Sequence, residues 1–536
     1  MLQLNLQNFL ALIPILWLIV ALVFLKIPGH VACASALLVA AVLALTLWQM
    51  QPTVALTSAL EGFASALWPI ILVIIAAIFV YNLSLKSGAM DIMKRMLTGV
   101  SADQRVLILL IGWCFAGFLE GMAGFGTAIA IPAGILVGMG TDPILACVVC
   151  MLANAFPTAF GSVGIPTTTL ANVTSLDILP LSFTEVLQMT PFMILVPFLM
   201  IIVGGKGLKA LQGMVGITLV AGLSFVIPEL LVAKFIGSEL PVIVGSVVSL
   251  CCTLLMANLR KNAPVPPAYD LSSGSLATDG SNANSQKTKV LDTSKDSMSP
   301  FVAWLPFVLI FVLLLLTSKL VPPINHALSG FSTSIKISTS EKAGNATFSW
   351  INTPGIWIFV AAIISGIAQK IKGKLMWETL IATVKQMSKT IITIMSVLAA
   401  AKIMTYSGMI SSMAGLFVGL TGGFYPFVAP IVAAIGAFVT GSGTSTQVLL
   451  GSLQSETAIQ IGVSPYWLSA ANAVGAGIGK ILSPQCIGTA LAAVNLAGQD
   501  SKLLNAILKW ALLLLVIACL IIGLCEGLLP QGLLPN

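Results

Sequence analysis

Apolar runs of the length needed to cross a bilayer, about 17 to 25 residues, recur along almost the whole chain: Phe9 to Leu25, Val31 to Trp48, Ala64 to Ser84, Phe301 to Leu320 and Ile507 to Leu524. Between the runs stand short polar segments that carry the cations, at Lys26, Lys86 to Arg105, Lys206 and Lys209, Arg260 and Lys261, Lys370 to Lys374, and Lys502 and Lys509. This alternation predicts an all-α membrane protein of about 12 transmembrane helices. Met1 to Asn8 has no Lys or Arg, and no small-residue cleavage site follows, so the first run reads as a transmembrane helix and not as a secretory signal.

Lys and Arg prefer the cytoplasmic face of a membrane. Counting spans between their clusters places both termini outside, in the periplasm. Asn262 to Ser299 is rich in Ser, Asn, Asp, Lys and Pro, cannot bury enough apolar area to fold by itself, and reads as a cytoplasmic linker. Pro322 to Pro354 is its external counterpart.

Sliding the chain against itself by about 320 residues gives an ordered match. Ser87, Gly88, Met93 and Gly99 fall on Ser407, Gly408, Met413 and Gly419; Ala153–Asn154–Ala155 falls on Ala471–Asn472–Ala473; Gly161 and Pro166 fall on Gly479 and Pro484. By the charge count the first copy starts outside and the second inside, which predicts two inverted repeats, an arrangement that in secondary transporters places the substrate near the bilayer midplane. The first repeat covers residues 1–211, a connecting helix pair 212–259, the linker 260–300 and the second repeat 301–536.

Within each repeat the apolar pattern breaks twice. Val106 to Glu120 and Ala128 to Gly138 are too short for two comfortable crossings and meet at a tip containing Gly124 and Gly126, which predicts a re-entrant hairpin over about 106–140. The second repeat offers the same over about 425–461, where Thr440 to Thr446 forms a tip rich in hydroxyls. After each hairpin comes a span interrupted midway, at 142–170 through Gly161 and Pro166 and at 465–497 through Gly479 and Pro484. Broken helices present backbone N–H groups and roughly half a positive charge at their inner N-termini, which suits a carboxylate. The competing reading is that these glycines merely allow close helix packing.

Composition sharpens the picture. Of 536 residues 58% are hydrophobic and 8% charged, against roughly a quarter charged in soluble proteins, so lipid is the solvent for this fold. The net charge of +7 lies between apolar spans and not on one basic face, so no nucleic-acid partner is expected. Cys147 and Cys150 form a C-x-x-C without polar neighbours and read as a buried pair. His30 and His326 are the two histidines and offer no relay or protease motif; Gly477-Ile478-Gly479-Lys480 lacks the glycine and hydroxyl of a phosphate loop. Gly121 to Gly126 lacks the strand before a dinucleotide fingerprint. No metal or cofactor is expected, and the chain does not read as an enzyme.

Two ionisable residues sit where charge costs about 2.5 to 3.5 kcal/mol at mid-membrane: Glu120 at the first tip and Lys480 in the second broken helix. Lys480 is placed to bind a substrate carboxylate and Glu120 to take up a coupled proton, or the two pair with each other. Glu456 and Lys402 read as interfacial charges. Ser442, Thr444, Ser445 and Gln485 join Lys480 as candidate substrate contacts, with Asn154 and Asn472 bracing the breaks.

The segments G-F-L-E-G-M-A-G-F-G-T at Gly117 to Thr127, T-G-S-G-T-S at Thr440 to Ser445 and G-K-I-L-S-P-Q at Gly479 to Gln485 resemble the bacterial L-lactate permease family. The resemblance spans essentially the entire chain. It implies import of L-lactate, with D-lactate and glycolate as related substrates, by proton symport across the inner membrane; an elevator-like motion and a homodimer are the corresponding expectations. Where the family pattern reads T-G-S-D-T-S this chain has Gly443, which leaves Glu120 as the coupling candidate. Sodium-coupled uptake of another organic anion, or a membrane-embedded respiratory subunit, are the alternatives to test.

Overall fold

Helices whose outward faces are as apolar as their cores make up the protein. The computed structural model describes residues 6–25, 27–124, 126–261, 263–271, 298–318, 320–496 and 498–525. Most of the linker and the chain ends 1–5 and 526–536, whose periplasmic placement is expected from the charge count, lie outside the described residues.

The helices are α1 (Leu6–Leu22), α2 (Gly29–Thr46), α3 (Pro52–Lys86), α4 (Ala89–Thr98), α5 (Gln104–Met122), α6 (Thr127–Gly138), α7 (Pro143–Asn154), α8 (Pro157–Thr174), α9 (Ile178–Gly204), α10 (Val215–Phe235) and α11 (Pro241–Leu259). After the linker come α12 (Pro300–Thr317), α13 (Pro322–Ser329), α14 (Pro354–Ala368), α15 (Gly373–Ser407), α16 (Met409–Thr421), α17 (Tyr425–Thr440), α18 (Gly443–Ile461), α19 (Pro465–Leu482), α20 (Pro484–Ala493) and α21 (Asp500–Cys525). Between α13 and α14 strands β1 (Ser332–Ile335) and β2 (Ala346–Ser349) pair antiparallel, Ser332 opposite Ser349. Trp68, where α3 kinks, donates its indole N–H to the Ser349 carbonyl at 2.8 Å and packs on Trp350 at a centroid distance of 5.2 Å, tying this hairpin to the helices.

Among the described residues ten helices are long and apolar enough to cross a membrane, α16 and α17 counting together as one, or eleven when the bent pair α7–α8 counts as one span. The expectation of about 12 differs because α1, α6 and α14 are apolar but shorter. Leu38, Leu56, Ile227 and Val516 lie more than half exposed on these helices, while Glu120, Glu185, Glu229 and Lys480 are buried. That inside-out distribution is what a lipid solvent selects, since apolar surface costs nothing against acyl chains and charge must find partners within the protein.

The order of elements recurs along the chain. A 35-residue helix (α3, α15) leads to a short helix opened by a left-handed glycine, Gly88 at φ 78° and Gly408 at φ 88°. Next come a helix pair meeting at a glycine tip (α5–α6, α17–α18), a second pair (α7–α8, α19–α20) and a long closing helix (α9, α21).

In the α19–α20 pair the expected break falls at Pro484 and not at Gly479. Helix α19 runs unbroken through Gly475, Gly477 and Gly479 and ends only at Leu482, where Ser483 turns the chain and Pro484 opens α20. The glycines are there for close approach. A Cβ at Gly475 or Gly479 would lie 2.2 or 2.0 Å from the carbonyl oxygens of Pro430 and Ala434 on α17, and one at Gly477 would lie 1.8 Å from that of Ala155. This is small-x-x-x-small packing between helices. It draws α19, and Lys480 with it, against both α17 and the α7–α8 break.

Candidate functional site

Four chain breaks converge on one point. The first tip brings Gly124 against Ser162, whose hydroxyl donates to the Ala123 carbonyl at 2.7 Å, and Gly126 against Thr489 of α20. The second tip brings Gly441, at φ 65°, against Gln485. In α8 the break is sharp: after Phe160, the consecutive residues Ser162, Val163 and Gly164 have φ of 47°, 60° and 74°. Left-handed backbone is rare for a β-branched residue such as Val163, and strain of this kind persists only where surrounding structure holds it.

Glu120, in the last turn of α5, is 2% exposed, and Lys480, in the last turn of α19, is 8% exposed. Their ion pair spans 3.2 Å, from Lys480 Nζ to Glu120 Oε1. Asn154 braces both, its amide N–H donating to Glu120 Oε2 at 2.8 Å and its carbonyl oxygen accepting from Lys480 Nζ at 3.0 Å. The third acceptor of the ammonium is Thr158 Oγ1. Each of the three ammonium protons thus has a partner, as a buried charge requires. Gly161 stands beside the pair because a Cβ there would fall 2.7 Å from Glu120 Oε1.

This cluster borders a cavity of about 360 Å³. Glu120, Lys480, Ser442, Thr444, Ser445 and Gln485 all line it, as do Gly124, Gly126, Gly161 and Pro166. Asn154 reaches the cavity only through the pair it braces. Asn472 stands apart, donating to Gln447 Oε1 at 2.6 Å and to the Thr446 carbonyl at 3.4 Å, so it supports the second tip from behind. Ser442 caps α18 by accepting from the Ser445 N–H at 3.2 Å. The N-terminus of a 19-residue helix, with its positive dipole end, therefore borders the same space as Lys480.

Sequence reasoning missed several residues here. Thr158 and Thr489 line the cavity, and His30, Lys389 and Thr393 line it from α2 and α15. Hydroxyls and helix-face lysines carry no motif that could have marked them. Lys402 and Glu61 had a signal: Lys402 reads as interfacial, yet its Nζ lies 2.7 Å from Glu61 Oε1, and Glu61 is 3% exposed. An acid inside an apolar span is a functional candidate on cost alone, and Glu61, Glu185 and Glu229 all meet that test. Cys147 and Cys150 are buried free thiols on α7.

A polytopic helical membrane protein with a buried, hydrogen-bonded lysine–glutamate pair facing a cavity of small-molecule size is organised as a transporter. The sequence model of the L-lactate permease family matches residues 7–529, and the chain belongs to that family. It is 40% identical to the L-lactate permease of Streptococcus iniae over 87% of this chain and 93% of that one. It is 35% identical to the glycolate permease GlcA of Escherichia coli K12 over 95% and 94% of the two chains. Among solved structures it is similar to MtrF of Neisseria gonorrhoeae at 14% identity and a TM-score of 0.49, over 93% of this chain and 96% of that one.

Proposed function

We propose that this chain imports L-lactate, with D-lactate and glycolate as related substrates, across the bacterial inner membrane by proton symport. The observation that carries the reading is the Lys480–Glu120 pair at the wall of the cavity. A buried ammonium tolerates an exchange of partner far better than the loss of one. When Glu120 takes up a proton, Lys480 is left with a full charge and one vacant acceptor direction, which the carboxylate of a 2-hydroxy acid fills. The net charge of the site is then the same empty or loaded, so one proton accompanies one anion.

The hydroxyls of Ser442, Thr444 and Ser445 and the amide of Gln485 line the same cavity for the substrate hydroxyl, and the α18 N-terminus adds favourable potential for the anion. Asn154 keeps Glu120 and Lys480 in register, and Asn472 holds the second tip. On this reading the two runs of elements lie inverted about the site with both chain ends periplasmic, and one run moves against the other, in a homodimer.

The test is uptake of labelled L-lactate into sodium-free proteoliposomes under an inward proton gradient. Accumulation that collapses with a protonophore is the expected result. Uptake only when sodium is present, or none of lactate at all, would replace this reading with sodium-coupled transport of another organic anion.

A further inference from the structure

A second cavity, of about 460 Å³, lies across the break of α8. Residues of the break divide between the two spaces: Gly161, Ser162 and Pro166 line the first, and Val163, Ile165 and Thr168 line the second. The strained left-handed turn is therefore the partition between them.

The chemistry of the first site recurs on the far side of that partition with different residues. Lys402 Nζ lies 2.7 Å from Glu61 Oε1 and donates to Tyr406 Oη at 3.3 Å, and the Tyr406 hydroxyl donates to the same Glu61 oxygen at 2.8 Å. Ammonium, carboxylate and hydroxyl are again grouped against a cavity, here by α3 and α15. One difference is informative. The ammonium of Lys480 meets three acceptors, whereas that of Lys402 meets two among the described residues, so one of its three donors is free for a ligand. Its side chain is also more open, 19% exposed against 10% for Lys480. Glu61 Oε2 is buried without a hydrogen-bond partner among the described residues, so the carboxylate is held less completely than Glu120, whose two oxygens are both engaged. Asn172, Asn345 and Thr168 supply amide and hydroxyl groups around the same space, with Lys342 and Glu239 also on its wall.

We propose that this cavity is a second binding site for a small hydroxycarboxylate anion, with Lys402 as its cation and Glu61 as the counter-ion that the anion displaces and that then carries the accompanying proton. It rests on the monocarboxylate reading of the first site and adds to it a station on the other side of the α8 partition. The substrate passes from one lysine to the other, and at neither is the cation left unpaired.

Equilibrium binding of labelled L-lactate to the purified full chain in detergent tests this. Two molecules per chain at saturation are expected for the wild type, and one for each of Lys402→Ala and Lys480→Ala. Glu61→Gln removes the competing carboxylate and is expected to bind severalfold more tightly at one of the two sites, a gain that misfolding cannot imitate. Wild-type saturation at one molecule per chain, unaltered in Lys402→Ala, with no tightening in Glu61→Gln, would overturn the second site while leaving the first intact. Wild type that binds lactate not at all would overturn the monocarboxylate reading, and the second site with it.

Discussion

Glu120 and Lys480 are 360 positions apart in the chain and 3.2 Å apart in space. Neither could be carried alone by its own apolar helix, and each is the other's reason for being tolerated. The pair joins the tip of the first half to the close of α19 in the second, so any motion of one half against the other that separates them must supply each with a new partner. A protonated glutamate and a lysine-bound carboxylate are such partners.

The first prediction follows from that dependence. Lys480→Met leaves Glu120 buried with its amide partner alone and is expected to lower unfolding stability in detergent by about 3–5 kcal/mol, whereas Lys480→Met combined with Glu120→Met recovers most of the loss. Both variants are expected to be inactive in uptake. Denaturant titration of the single and double variants checks it; a double variant as unstable as the single would mean that the pair is not the source of the cost.

Close packing gives the second. Gly477→Ala drives a methyl group into the Ala155 carbonyl oxygen, 1.8 Å away on backbone that cannot rotate aside. A loss of about 1–3 kcal/mol and of transport is expected. Gly488→Ala in α20, where a Cβ meets nothing within 4 Å, serves as the control and is expected to be neutral. Thermal melting of the two proteins side by side distinguishes them.

How far the sequence spoke for itself can be seen residue by residue. Glu120 and Lys480 stood out because ionisable groups are costly in apolar spans, and the structure brings them together. The same reasoning applied to Glu61 would have flagged it, but the run around it carries Ser and Thr and reads as ordinary polar variation. The glycines of α19 look alike in sequence whether they break a helix or admit a neighbour. Only the carbonyls of Pro430, Ala434 and Ala155 decide it, and these are tertiary facts. Thr158 was invisible for the same reason, since a threonine beside a helix break carries no signal of which lysine it will meet.

Thr158 supplies the third prediction. Its hydroxyl accepts from Lys480, so Thr158→Val, nearly identical in shape, leaves one ammonium proton of a buried lysine without an acceptor. A cost of about 1–3 kcal/mol is expected, together with weaker lactate uptake, and Thr158→Ser is expected to restore both. Failure of the serine variant to rescue would mean that the methyl group, not the hydroxyl, is what the site uses.

The last prediction separates folding from transport. Arg105, 2% exposed at the start of α5, grips Asp103 through Nε to Oδ1 at 3.0 Å and Nη2 to Oδ2 at 2.8 Å. Its Nη1 donates to the carbonyls of Ala210 and Gln212 at 3.0 and 3.1 Å, and its guanidinium lies 4.5 Å from the Tyr269 ring centroid. One planar fork thus fastens the start of α5 to the segment before α10 and to the chain that follows α11. Arg105→Lys keeps the charge, but a single ammonium cannot reach an aspartate in bidentate fashion, two separated carbonyls and an aromatic face together. A loss of about 2–3 kcal/mol is expected, since hydrogen bonds to charged groups contribute about 1.5–3 kcal/mol each and some are kept. Arg105 lines neither cavity, so the lactate concentration giving half-maximal uptake should be unchanged while the amount of folded protein falls. A changed half-saturation with unchanged melting would show that this clasp acts on the transport cycle and not on the stability of the fold.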